Sequence, residues 1–127
     1  RVIFTTRMGM IKVVDGGEFD VAKRTVAASR LQEEDELRDV TVWKEQQTVV
    51  LQTHKGFFLR FPVEEIPEKK KAAVGVRAIR LSPDDFVEAV HFTGPGEAET
   101  IPFGDRQLEL SRLKIAKRDG KGTKARA

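Results

Sequence analysis

"VIFTTRMGMIK" at residues 2–12 and "VVLQTHKGFFLR" at residues 49–60 together decide the fold. Each is a β-prone run with threonine at its end, a turn containing glycine, and a second run rich in Val, Ile, Phe or Leu, which is the pattern of a β-hairpin. Shifting the chain by 47 residues lays Val2 on Val49, Thr6 on Thr53, Gly9 on Gly56, Glu18 on Glu65, Phe19 on Ile66 and Lys23-Arg24 on Lys70-Lys71. Three residues are then inserted. At a shift of 50, "VAASRL" at 26–31 matches "VRAIRL" at 76–81, and Asp35, Leu37 and Val40 match Asp85, Val87 and Val90.

A repeat this long points to propeller blades or a related array, in which neighbouring sheets bury each other's faces. Four strands are expected in each unit. In the first they are 2–6, 10–14, 25–31 and 36–43, separated by Met8-Gly9, Asp15-Gly16-Gly17 and the acidic cluster at 33–36, all poor strand interiors. No helical period is sustained, although "PEKKKAA" at 67–73 suits one turn. The expected organisation is a single all-β module, a partial disc of four-stranded antiparallel blades, with repeats at 1–46 and 47–93 and an incomplete third at 94–127.

Composition agrees with a globular domain. The 127 residues are 39% hydrophobic and 34% charged, enough for one core and too few for two. No run approaches the ~18 apolar residues of a membrane helix. Cysteine is absent, which excludes disulfides and thiolate chemistry and fits a reducing compartment.

The net charge of +3 is mild, so its distribution is more informative than its total. The segment "LKIAKRDGKGTKARA" at 113–127 is strongly basic, and its origin is a third copy of the repeat: Lys70-Lys71 falls on Lys117-Arg118, Gly75 on Gly122, Arg77 on Lys124 and Ala78 on Ala125. Acids crowd the loop before the last strand of each unit and bases crowd the Lys-Lys or Lys-Arg stretch and the strand after it. Strand alternation puts Arg80 on the face of Ala78, so the bases are not all expected on one surface. Cations recurring at one phase of a repeat form a stripe that suits the phosphate backbone of a duplex. For any single Lys or Arg, ordinary solvated surface is the better explanation.

The same two stretches, with the second extended through "FPVEEIPEKKKAAVGVRAIRL" at 61–81, resemble the C-terminal domain of the A subunit of bacterial type II topoisomerases, DNA gyrase and topoisomerase IV. The resemblance covers essentially the whole chain. It implies a β-pinwheel whose basic edge bends duplex DNA without reading sequence and feeds it to a separate, ATP-dependent strand-passage core. The partners it implies are duplex DNA, the ATPase B subunit, plus the other domains of the A subunit, in the bacterial cytoplasm at the nucleoid. Gyrase members carry a heptapeptide box, Gln-Arg-Arg-Gly-Gly-Lys-Gly; here residues 116–122 read Ala-Lys-Arg-Asp-Gly-Lys-Gly. Lys117, Arg118, Gly120, Lys121 and Gly122 fit it, whereas Ala116 and Asp119 depart. The glycines would let the backbone approach phosphate closely, and the bases would neutralise it. Family discs hold about six units, within the range for propellers, so two and a part leave edges that favour self-association or a longer parent chain.

Catalysis has little support. Glu64-Glu65 and Asp84-Asp85 read as turn and solubility residues, and the two histidines, His54 and His91, have no metal-ligand spacing around them. No cofactor or metal is expected. Trp43 reads as blade packing. The expected phosphate contacts are Arg7, Lys12, Arg60, Lys70, Lys71, Arg77, Lys117, Arg118 and Lys121. The competing reading is a propeller-type module that binds proteins, with these bases merely solvated.

Overall fold

The computed structural model describes residues 1–15, 35–69 and 75–125. Ten strands are present among them: β1 (Val2–Thr6), β2 (Met10–Val14), β3 (Leu37–Val42), β4 (Thr48–Thr53), β5 (Phe57–Pro62), β6 (Val76–Arg77), β7 (Val87–Thr93), β8 (Thr100–Phe103), β9 (Arg106–Glu109) and β10 (Thr123–Lys124). They form two four-stranded antiparallel sheets, ordered β3-β1-β2-β6 and β10-β5-β4-β7, and the hairpin β8-β9. The all-β, propeller-like expectation therefore holds. The strand expected at 25–31 lies outside the described residues. The helical turn expected at 67–73 is instead a single 3₁₀ turn at Val63–Glu65, and Glu68 already bridges in parallel to Val13.

The tips of the hairpins show why these residues turn here. Thr6 Oγ1 accepts the N–H of Met10 at 3.0 Å, and Thr53 Oγ1 accepts that of Phe57 at 3.0 Å. Asp35 Oδ1 accepts the Met8 N–H at 2.9 Å, and Asp85 Oδ1 accepts the Lys55 N–H at 3.0 Å. Each tip thus has its backbone donors satisfied by a local threonine and by an aspartate from the loop before the next strand. Gly9 and Gly56 occupy the left-handed corner, with φ of +87° and +91°. The acids singled out by the repeat are structural pins of the turns.

The sheets do not coincide with the sequence repeats. β6, from the second repeat, is the closing strand of the first sheet, and β10, from the third, closes the second. The register repeats with them: Ile11 opposite Val76 in one sheet becomes Phe58 opposite Thr123 in the other, each partner moved by 47 residues. The bridge from Val13 to Glu68 likewise becomes Arg60 to Ile115. Every unit lends a strand to the one before it, so a unit cut from its neighbour loses a ladder edge.

Most hairpin positions are buried on both faces, because β1, β2, β4 and β5 lie inside stacked sheets. Ile3, Ile11 and Val13 of the first sheet share one core with Val49, Leu51, Leu59 and Phe61 of the second. The opposite face of the second sheet, with Val50 and Phe58, packs on Leu110 and is flanked by Ile101, Phe103 and Leu108 of the third unit. Trp43 packs against the first cluster, as expected. Burial of this kind, about 25 cal/mol for each Å² of apolar surface, is what holds sheet against sheet.

Candidate nucleic-acid interface

Two seams join the sheets at their edges. At one, β3 and β7 run beside each other. At the other, β6 meets the loop between Ile115 and β10, where Ile79 bridges in parallel to Gly120. The backbone there is tied in both directions, with the Asp119 N–H donating to the Ala78 carbonyl at 2.7 Å and the Arg80 N–H to the Gly120 carbonyl at 2.8 Å.

The basic side chains gather at this second seam. Lys114, Lys117, Arg118 and Lys121 line a recess of about 410 Å³ between the loop and β5. Arg118 donates through its guanidinium to the Arg77 carbonyl at 2.8 Å, and Glu65 Oε1 accepts its backbone N–H at 2.9 Å. Lys121 Nζ stands 5.7 Å from the Phe57 ring. Arg77 and Arg80 lie exposed on the facing segment, on either side of buried Ala78 and Ile79. Alternation fails to separate the two arginines because β6 ends at Arg77.

Asp119 sits in the middle of these cations. Its carboxylate takes both Nε and a terminal nitrogen of Arg77, the latter at 3.0 Å. That hydrogen-bonded pair holds the Asp119 carboxyl below its ordinary range, with Arg80 and Arg118 adding Coulombic pull in the same direction. The pair also raises Arg77 above its own ordinary value.

The glycines of the loop serve the fold. A Cβ on Gly122 would lie 2.6 Å from the Phe58 carbonyl oxygen, and one on Gly75 would lie 2.7 Å from that of Ile11. Both have left-handed φ, +84° and +101°. These glycines let a closing strand dock on its neighbour, so close approach to backbone is indeed required of Gly122, although the backbone is the protein's own. Gly120 contributes its carbonyl to the seam.

Among the nine expected contacts, Arg77, Lys117, Arg118 and Lys121 come together here. Lys70 and Lys71 lie outside the described residues. Arg7 is at the other seam, its guanidinium 4.2 Å from the Phe86 ring and its carbonyl accepting the Val87 N–H. Two expectations are overturned. Lys12 is 1% exposed, at the position where the second repeat has Leu59, and so cannot reach phosphate. Arg60 donates to Thr48 Oγ1, Thr93 Oγ1 and the Ser111 and Leu113 carbonyls, at 3.0–3.3 Å, and is committed to joining the second sheet to the third unit. Arg80 and Lys114 were missed. Lys114 had its signal in the basic stretch at 113–127; Arg80 had none, since strand alternation argued against it.

The described residues hold no group of three or more His, Asp or Glu placed to bind a metal. No helix among them is long and apolar enough to cross a membrane.

The model of the DNA gyrase C-terminal domain, beta-propeller, matches residues 1–44 and 47–93. The chain belongs to that family. The topoisomerase 4 protein of Staphylococcus aureus (strain MRSA252) that corresponds to the gyrase A chain is 30% identical across 94% of this chain. The chain spans 16% of that relative's length. Among solved structures, the C-terminal domain of DNA topoisomerase IV superposes with a TM-score of 0.83 at 22% identity, covering 97% of this chain and 40% of that one. The DNA gyrase A C-terminal domain superposes with a TM-score of 0.77 at 19% identity, covering 96% and 42%. As a gyrase C-terminal domain family member, the chain carries the propeller architecture of these topoisomerase domains, and its strand exchange between units is what continues such an array.

Proposed function

We propose that this gyrase C-terminal domain family member is a non-catalytic module that binds and bends duplex DNA without reading its sequence. In this reading it serves the A subunit of a type II topoisomerase and presents DNA to a separate ATP-dependent strand-passage core, a further partner being the ATPase B subunit. The observation that carries the proposal is the convergence of Lys114, Lys117, Arg118, Lys121, Arg77 and Arg80 along one seam. The contact it supports is electrostatic. Lysines and arginines on flexible stems neutralise phosphates, and the condensed counterions are released, which makes affinity independent of sequence and strongly dependent on salt.

The test is duplex affinity across a salt series for the native chain and for a variant with Lys117, Arg118 and Lys121 changed to alanine. Log affinity should fall linearly with log salt for the native chain. The triple variant should have a slope shallower by about 2.7, or about 0.9 for each phosphate contact removed. Affinity insensitive to salt would instead fit a propeller that binds proteins.

A further inference from the structure

We infer that Asp119 occupies the anion position of Arg77, so that one strong cation of the seam is withheld from DNA by a carboxylate built into the loop. The inference rests on the duplex-binding reading above and concerns how much of the basic seam is available to it.

Three observations carry it. The contact has the two-pronged geometry by which a guanidinium also takes a phosphate, with Nε and a terminal nitrogen on the two carboxylate oxygens. The pair lies at the surface, where side-chain exposure is 52% for Arg77 and 31% for Asp119. Water and a polyanion can therefore reach it. Finally, Asp119 is the only acid among the residues that line the recess, and Arg80 and Arg118 also act on its charge.

The backbone adds to this. Asp119 has a left-handed φ of +71°, a conformation that aspartate tolerates and glycine adopts freely. Its N–H and the Gly120 carbonyl hold the loop on the neighbouring segment without help from the carboxylate. Replacing Asp119 by glycine should thus free Arg77 without dislodging the loop.

The experiment compares the native chain, Asp119→Gly, Arg77→Gln and the double variant, each for duplex affinity between about 50 and 200 mM salt. Asp119→Gly should bind more tightly, with a slope steeper by about 0.9, equivalent to about a 3.5-fold larger loss of affinity over that range. Arg77→Gln should cost affinity in the Asp119→Gly background and little in the native one. Asp119→Asn, which keeps the left-handed preference and removes the charge, should reproduce the gain and covers the case in which the glycine variant folds poorly. An equal cost of Arg77→Gln in both backgrounds would mean a diffuse charge effect and overturn the inference. So would a native chain that binds with the expected salt slope while neither Asp119 variant gains. If the native chain shows no salt-dependent binding, the DNA-binding reading fails first, and the inference with it.

Discussion

In the first sheet the strand position that pairs with Ile3 holds Val13, which enters the core shared with the second sheet; 47 residues on, the same backbone position holds Arg60, which fastens its sheet to the third unit through two hydroxyls and two carbonyls. The reverse exchange happens next door. Lys12 lies buried in the first sheet where Leu59 lies buried in the second. Turn pins, strand register and docking glycines repeat between the two sheets, whereas charge does not. Backbone hydrogen bonding and positive φ depend on local geometry, which every unit must reproduce to pass a strand to its neighbour. A side chain answers to whatever packs against its own face, and that differs from unit to unit.

Breaking the shared part should have the largest effect. Gly122→Ala puts a Cβ against the Phe58 carbonyl at a left-handed φ, so loss of about 3 kcal/mol of stability is expected, with β10 detached. Gly96 also has positive φ, +81°, but nothing within 4 Å of the added Cβ. There Ala should cost only about 1 kcal/mol, from backbone strain alone. Paired denaturant titrations check this, and equal losses at the two glycines would mean that close approach is not what Gly122 supplies.

Changing the unshared part should sharpen the comparison. Arg60→Met removes a guanidinium that holds two sheet threonines and two carbonyls, and should cost about 2 kcal/mol. Its duplex salt slope should stay at the native value, because Arg60 is spent inside the protein. A slope reduced as much as that of a Lys117 substitution would return Arg60 to the DNA contact surface.

The smallest effect belongs to the β3/β7 seam. Burial lowers the proton affinity of His91, whose ring nitrogen lies 2.8 Å from Gln52 Oε1, while Asp39 opposes that shift. A histidine held below its unfolded value gives stability that is complete above about pH 6.5 and is lost as pH falls through the lower folded value. Burial raises the Asp39 carboxyl, which has the opposite sign, favouring the fold as Asp39 takes up a proton at still lower pH. Melting temperature should therefore decline modestly below about pH 6.5, and His91→Gln should flatten that decline. An unchanged profile in His91→Gln would assign the decline to other groups.

Much of the fold was legible in particular residues. Gly9 and Gly56, Thr6 and Thr53, and Asp35 and Asp85 appear at fixed spacing and perform the same task at each hairpin tip. The third copy was legible in the same way, since Gly122 and Lys124 fall where Gly75 and Arg77 do. The site was legible only in part. Lys117, Arg118 and Lys121 share a loop, so their proximity follows from chain connectivity. Nothing local to Lys12 or Arg60 states what lies across from them, although the match of Lys12 with Leu59 hinted at burial.

The sequence by itself determined the hairpins, their turns and the period at which they recur, because those depend on φ, ψ and hydrogen bonds within a few residues or on apolar patterning along one strand. Only the tertiary structure decided which repeat closes which sheet, which cations are spent inside the protein, and that Asp119 faces Arg77 from 42 positions away. Electrostatic partners are set by distance in space, and a repeat folded against its neighbour brings together charges that the chain keeps apart.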